Sequence, residues 1–246
     1  MDRDIHDPDF VRDVFDRCSA NYRIWSEVAS FGFVARWRRQ CVQALDLPTG
    51  RLEVVADLMA GTGEIWPRLL TRLPEDVKIT AVDISRGMHR HAMERLHQDR
   101  TDRITHLEVN FLDSDLPDGF ADCAVSSFGL KTLSPMQQAV FARELARILR
   151  PGGTFSLVEA ADPKGWALRP LYRLYLDRIL PVIERLFLRG AQDFSMLGVY
   201  TRTFGDCRGL AECLRAEGLK VSVQPLFFGC AMGVTGCKPE MYPVQA

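Results

Sequence analysis

Val54-Val55-Ala56-Asp57-Leu58-Met59-Ala60-Gly61-Thr62-Gly63-Glu64 opens as an apolar, β-branched run, meets an acid and enters a short glycine turn. Apolar positions resume at Ile65, Leu69 and Leu70 with the spacing of a helix. Such a stretch predicts a buried parallel strand feeding a helix through a tight loop. Gly61 and Gly63 permit close approaches that a Cβ forbids. The loop lies at the carboxyl end of a strand, where open α/β sheets bind ligands.

Lys78-Ile79-Thr80-Ala81-Val82-Asp83-Ile84 is a second short strand ending in an acid. Asp83 follows the glycines by about 20 residues, the spacing at which a carboxylate reaches a ribose diol. A pyrophosphate ligand fits less well. The dinucleotide fingerprint wants a third glycine where this chain has Trp66, and no Gly-Lys-Ser/Thr ending is present. Asp57 before the turn and Glu64 after it suit a cationic ligand, and the cofactor expected from this pattern is S-adenosylmethionine.

With 246 residues, 47% of them hydrophobic, the chain is expected to form one globular domain with a good core. A net charge of −1 gives no bulk attraction to nucleic acid, so none is expected as a partner. The start, Met1-Asp2-Arg3-Asp4, is unlike a targeting peptide. No apolar run reaches the ~18 residues of a membrane span. The seven cysteines are scattered without a Cys-x-x-Cys pair, which fits free thiols in a reducing cytoplasm. His89, His91 and His97 share one predicted helix but lack cysteine partners at metal-ligand spacing, so solvent-facing histidines are expected and no metal site.

Residues 1–50 read as an amphipathic helical cap, broken near Phe31-Gly32-Phe33 and stopped by Leu47-Pro48-Thr49-Gly50. Residues 51–163 form the cofactor-binding core. After the first two strands, further strands are predicted at Ile104–Val109, Ala121–Ser127 and Thr154–Glu159, with helices between them. This alternation predicts a doubly wound, mostly parallel Rossmann-like sheet. Residues 164–205 break the rhythm: many apolar positions alternate with Arg169, Arg173, Arg178, Arg185 and Arg189. A helical lid, a homodimer face and a peripheral membrane contact through 164–200 all fit this pattern, the lid best. Residues 206–246 supply a helix and two strand-like runs, around Val221–Phe227 and Gly229–Thr235, that make an antiparallel pair at the sheet edge.

From Phe15 onward the chain resembles the ubiquinone/menaquinone-biosynthesis C-methyltransferases, within the class I S-adenosylmethionine-dependent methyltransferases. The matching motifs are Phe15-Asp16-Arg17 with Tyr22, Ser30-Phe31-Gly32 with Trp37-Arg38, and Asp57-Leu58 with Gly61-Thr62-Gly63. Val82-Asp83-Ile84-Ser85 with Gly87-Met88, Ser127-Phe128-Gly129-Leu130 and Leu149-Arg150-Pro151-Gly152-Gly153 continue them. The resemblance implies that Asp57, Ala60, Gly61 and Gly63 line the methionine end of the cofactor and that Asp83 binds its ribose. It implies Met88, Asn110 and Phe111 beside adenine, Ser127 at the cofactor edge of the fourth strand, and Tyr22 closing over the cofactor. The implied reaction is C-methylation of a quinol-like or other aromatic small molecule.

Asn110 and Phe111 stand where the family has an acid-alanine pair beside adenine, and the other departures from the family pattern surround the acceptor. The family continues Phe-Gly-Leu with arginine and asparagine, where this chain has Lys131 and Thr132. It has a Glu-Phe-Ser-Lys-Pro-like run where Glu159-Ala160-Ala161-Asp162-Pro163 stands, and an asparagine where Ser26 stands. Methylating a phenol-bearing carbon requires loss of the phenolic proton. Lys131, desolvated to a lowered pKa, is a candidate to accept that proton or to stabilise the phenolate. Arg202 is a second candidate for the same charge, and Glu159 is placed at the site by its strand end. A specialised natural-product O- or N-methyltransferase, another reaction on the same fold, and a non-catalytic binding protein are the alternatives.

Overall fold

The computed structural model describes residues 4–50, 52–187 and 195–240. Three amphipathic helices come first: α1 (Pro8–Cys18), α2 (Tyr22–Ala29) and α3 (Phe33–Ala44). Asp7 caps the first, accepting from the backbone N–H groups of Asp9 and Phe10. The alternating core follows as β1 (Val54–Leu58), α4 (Trp66–Arg72), β2 (Lys78–Asp83), α5 (Arg86–Asp99), β3 (Ile104–Glu108), β4 (Ala121–Ser127), α6 (Pro135–Ile148) and β5 (Leu149–Ala160). Next come α7 (Arg169–Leu174), a π-helical turn at Tyr175–Ile179, α8 (Leu180–Phe187), α9 (Ser195–Phe204), α10 (Arg208–Ala216), β6 (Lys220–Leu226) and β7 (Ala231–Cys237). Arg189, one of the arginines noted above, lies outside the described residues.

The strands form one sheet in the order β3-β2-β1-β4-β5-β7-β6. The first five are parallel. Both faces of β1 and β4 are covered, which is why they read as continuous apolar runs: Val55, Ala56, Leu58, Cys123, Ala124 and Val125 are all buried. Trp37, Leu45, Trp66 and Leu69 pack in one core layer, and Phe141, Leu145, Leu210 and Leu214 in another. The strand order reverses between β1 and β4, so a crevice opens at their carboxyl ends.

One detail differs from the sequence expectation. β5 starts at Leu149 and absorbs the predicted Arg150–Gly153 turn, with an irregular register against β4 between Ala121 and Cys123. Gly152 (φ 78°) lets the chain bend there without leaving the sheet. The expected antiparallel pair stands at the sheet edge, with β7 between β5 and β6. Gly236 makes this possible: a Cβ there would lie 1.9 Å from the Lys220 carbonyl and 2.6 Å from the Phe155 ring.

Candidate active site

β1 ends in a strained turn. Met59 takes a left-handed backbone (φ 57°), Gly61 and Gly63 follow at 60° and 81°, and the Ala60 N–H donates to the Val82 carbonyl at 3.0 Å. Gly63 cannot carry a side chain, because a Cβ would lie 2.2 Å from the Trp66 ring. That close approach seats Trp66, whose Nε1–H donates to Asp57 Oδ2 at 2.8 Å. Asp57 Oδ1 has no partner among the described residues. Burial pushes the Asp57 carboxyl up to about 8, the Trp66 bond opposing it.

Asp83 ends β2 beside this turn. Its Oδ2 accepts from the Gly61 N–H and its Oδ1 from the Ser85 N–H, both at 2.8 Å. Burial raises its carboxyl to about 6, less than for Asp57 because these two bonds favour the charged form. Ser85 caps α5, and Asp16 on α1 accepts from the Ser85 hydroxyl (2.6 Å) and the Gly87 N–H (2.7 Å). The helical cap is thereby pinned over the second strand.

β4 ends in a matching way. Phe128 is left-handed (φ 67°), and a Cβ on Gly129 would strike Met59 at 2.6 Å. The ends of the two central strands therefore interlock, and a cavity lies on each side of Phe128. The first is lined by Tyr22, Ala60, Gly61, Asp83, Met88, Asn110, Phe111 and Ser127 together with Met59, Glu64 and Phe128. Asp57 and Gly63 do not line it. Asn110 Oδ1 accepts from the Leu112 N–H at 3.1 Å, which orients that side chain.

The second cavity shares Tyr22 and Phe128 with the first. Its walls are mainly apolar and aromatic, including Phe33, Trp37, Trp166, Tyr172, Leu180 and Phe227. The lid helices close it: Tyr175 donates to the Ala29 carbonyl at 2.7 Å, and its ring lies 5.3 Å from that of Phe31. Arg38 and Lys131 are the cationic side chains on its wall.

The three residues grouped with the chemistry do not stay together. Lys131 Nζ donates to Glu159 Oε1 at 2.9 Å and to the Phe128 carbonyl at 2.6 Å. Glu159 also accepts from the backbone N–H groups of Lys131 (3.0 Å) and Ala160 (2.7 Å) and is buried under the cavity wall. Arg202 lies elsewhere. Its guanidinium pairs with Asp177, its side chain is 39% exposed, and it lines neither cavity. Arg202 is thus a lid ion pair, because Asp177 on the π-helical turn competes for its charge.

Several residues at the site are given no role by sequence. Arg38 enters only within the Trp37-Arg38 motif of the family resemblance; it stands on the apolar stripe of α3 with Val34 and Cys41. His106, buried on β3, places Nε2 3.2 Å from the Gly61 carbonyl and Nδ1 2.9 Å from His89 Nδ1. Burial lowers its pKa to about 4, so it is neutral and its Nε2–H donates to the turn. His89, expected to face solvent, is half-buried against it; His91 pairs with Glu94, and His97 is exposed.

A sheet of this order, with a glycine turn after β1 and an acid ending β2, defines a Rossmann-like S-adenosylmethionine-dependent methyltransferase. The residues present fit that cofactor: acids flank the turn, and a buried carboxylate oxygen lacks a partner among the described residues. The chain belongs to the ubiE/COQ5 methyltransferase family, whose model matches residues 3–238. It is 27% identical over 231 residues to a demethylmenaquinone methyltransferase of Bacillus mycoides (strain KBAB4), covering 94% of this chain and 96% of that one. The enzyme of the same name from Bacillus cereus (strain B4264) is 26% identical over the same span. Among solved structures, a SAM-dependent methyltransferase from Aquifex aeolicus superposes with a TM-score of 0.53 at 19% identity, covering 77% of this chain and 85% of that one. Geranyl diphosphate C-methyltransferase from Streptomyces coelicolor A3(2), solved with Mg2+, geranyl diphosphate and S-adenosyl-L-homocysteine, gives 0.60 at 11% identity over 83% and 78%. These likenesses show the fold. Among the described residues no helix is long and apolar enough to cross a membrane.

Proposed function

We propose that this methyltransferase methylates a ring carbon of a lipophilic quinol. The observation that carries the reading is the pair of cavities meeting at Tyr22 and Phe128, one walled by the glycine turn and Asp83, the other by aromatic and aliphatic side chains. The cofactor supplies an electrophilic methyl group when bound. The protein's contribution is alignment and exclusion of water, and proximity alone is worth about 7–11 kcal/mol in favourable cases. Asp83 binds the ribose, Met88, Asn110 and Phe111 flank the adenine, and Ala60, Gly61 and Ser127 let the cofactor lie close to the strand ends. Tyr22 closes over it from α2.

On the acceptor side, Lys131 faces the oxygen of the quinol. An ammonium has three donors; two are held by Glu159 and the Phe128 carbonyl, and the third is directed to the acceptor oxygen, where it stabilises the phenolate form of the quinol. Lysine in place of the family's arginine offers a point charge rather than a planar fork, which suits one oxygen rather than two. Glu159 positions Lys131 and balances its charge.

The acceptor carries an apolar tail and is drawn from a membrane surface. Phe31, Leu168, Leu171 and Phe227 line the second cavity and are also 42–76% exposed, so its mouth is apolar on the outside. Free cysteines, most of them buried, support a cytoplasmic location. Purified protein incubated with a reduced 2-alkyl-1,4-naphthoquinol and methyl-labelled cofactor should yield a ring-methylated product. Label on oxygen would support the O-methyltransferase alternative, and no label at all would remove the proposal.

A further inference from the structure

One ion pair draws together the turn that leads from β5 into the lid. Asp162 is buried, and both its carboxylate oxygens accept from one guanidinium: Arg169 Nε reaches Oδ1 at 2.7 Å and Nη2 reaches Oδ2 at 2.5 Å. Two parallel charge-assisted bonds fix orientation as well as distance. Bonding to Arg169 holds the Asp162 carboxyl below its ordinary value, so the pair stays charged at neutral pH. Asp162 also fastens the far end of the lid, its N–H donating to the Gly205 carbonyl at 2.7 Å, just past α9.

Trp166 stands on the loop between the two partners. Its N–H donates to the Pro163 carbonyl at 3.1 Å, and its carbonyl accepts from the Arg169 N–H at 3.0 Å. Gly165 makes the bend with φ at 93°. The indole is half-buried on the wall of the second cavity. It stacks on Phe228 and meets Phe227 edge-on at 6.1 Å, and Phe33 extends the aromatic row 4.2 Å beyond Phe227. The Arg169 side chain is 34% exposed, and an ion pair with so open a partner adds little to global stability. Its effect is local, on the loop that carries the indole. The Glu-Phe-Ser-Lys-Pro-like run noted above has a lysine at this position, which would repel Arg169.

We propose that Asp162 and Arg169 are positioning residues for the methyl acceptor: their fork holds the Trp166 indole as a flat wall of the second cavity, and that wall selects fused-ring over single-ring acceptors. The inference rests on the quinol reading above. A two-ring face overlaps an indole more fully than a one-ring face, which sets the expected preference at roughly two- to tenfold.

Two measurements on the full chain under argon test this. One is methylation of a 2-alkyl-1,4-naphthoquinol and of a 1,4-benzoquinol with the same tail; the other is calorimetric binding of each in the presence of S-adenosylhomocysteine. The unmodified protein should favour the naphthoquinol in KM and in affinity. Trp166→Ala should erase that preference while kcat and S-adenosylhomocysteine affinity stay near their original values. Asp162→Asn should erode it too, as should Arg169→Lys, which keeps the charge and loses the fork. Adding Asp162→Asn to Trp166→Ala should cost nothing more, because residues acting through one another are not additive. Equal use of both acceptors by the unmodified protein, an unaltered preference in Arg169→Lys, or losses that multiply in the double variant would each overturn the proposal. So would a fall in kcat and cofactor affinity alongside KM, which would make the fork a support of the whole site. If the unmodified protein binds the naphthoquinol without methylating it, the C-methylation reading falls instead, and the binding comparison alone decides on the fork.

Discussion

Lys131 Nζ and Glu159 Oε1 meet at 2.9 Å with side-chain exposures of 4% and 0%, so the ion pair stands wholly inside the protein. Removing one partner of such a pair strands the other and costs about 3–5 kcal/mol, whereas removing both is far milder. Lys131→Met should therefore lose about that much stability in urea unfolding. Combining it with Glu159→Gln should restore most of the loss. Turnover should fall in both variants while S-adenosylhomocysteine binding persists; full activity in the double variant would make the pair purely structural.

Asp57 gives the site a pH dependence whose sign follows from its raised carboxyl, about 8 in the folded protein against 3.8 ordinarily. In the free protein this group's contribution to stability is fully present below about pH 4. It is lost progressively as pH rises to about 8, because the unfolded chain ionises first. A bound ammonium favours the ionised carboxylate. The melting-temperature gain from S-adenosylhomocysteine should therefore grow between pH 6 and pH 8, with proton release measurable by calorimetry in buffers of different ionisation enthalpy. Asp57→Asn should abolish the rise near 8 and keep a lower one near 6, where Asp83 titrates.

The cofactor half of this protein was legible because backbone chemistry writes it locally. A β-branched run, an acid, two glycines and a second acid about 20 residues on are read from consecutive residues. Of the cofactor contacts expected from this pattern and from the family resemblance, eight line one cavity: Tyr22, Ala60, Gly61, Asp83, Met88, Asn110, Phe111 and Ser127. The acceptor half depends on contacts between distant segments. Nothing in the sequence near Lys131 says that Glu159, 28 residues on, takes its charge. Arg202 was misplaced for the same reason, since its Asp177 partner comes from another lid segment. Arg38 left a trace, a cation on an apolar helical stripe, but its unmet nitrogens required the packed neighbours to be seen.

Gly63 links the turn to Asp57 through Trp66. An added methyl would lie 2.2 Å from the indole, at a backbone φ of 81° that costs a side-chain-bearing residue about 1–2 kcal/mol before any clash. Gly63→Ala should therefore destabilise the protein by more than that and displace Trp66 from Asp57, changing its fluorescence. Cofactor affinity should fall in step. Native fluorescence with native affinity would show that the turn relaxes without moving the indole.

The apolar rim of the second cavity carries the last prediction. Phe31 is 76% exposed, Leu171 61% and Phe228 68%, and the Phe228 ring stacks on Trp166 at 5.4 Å with planes 3° apart. Exposing rings and aliphatic chains around a cavity mouth offers apolar area to a bilayer, and each side chain buried there is worth roughly 1.5–3 kcal/mol. The triple change Phe31→Ser, Leu171→Ser and Phe228→Ser should reduce sedimentation with phospholipid vesicles. It should slow methylation of a long-tailed quinol delivered in those vesicles by tenfold or more, roughly one such side chain's burial. A short-tailed, water-soluble quinol should be methylated at nearly the original rate, because the first cavity and Lys131 are untouched. Equal loss on both substrates would mean the rim shapes the cavity rather than meeting the membrane.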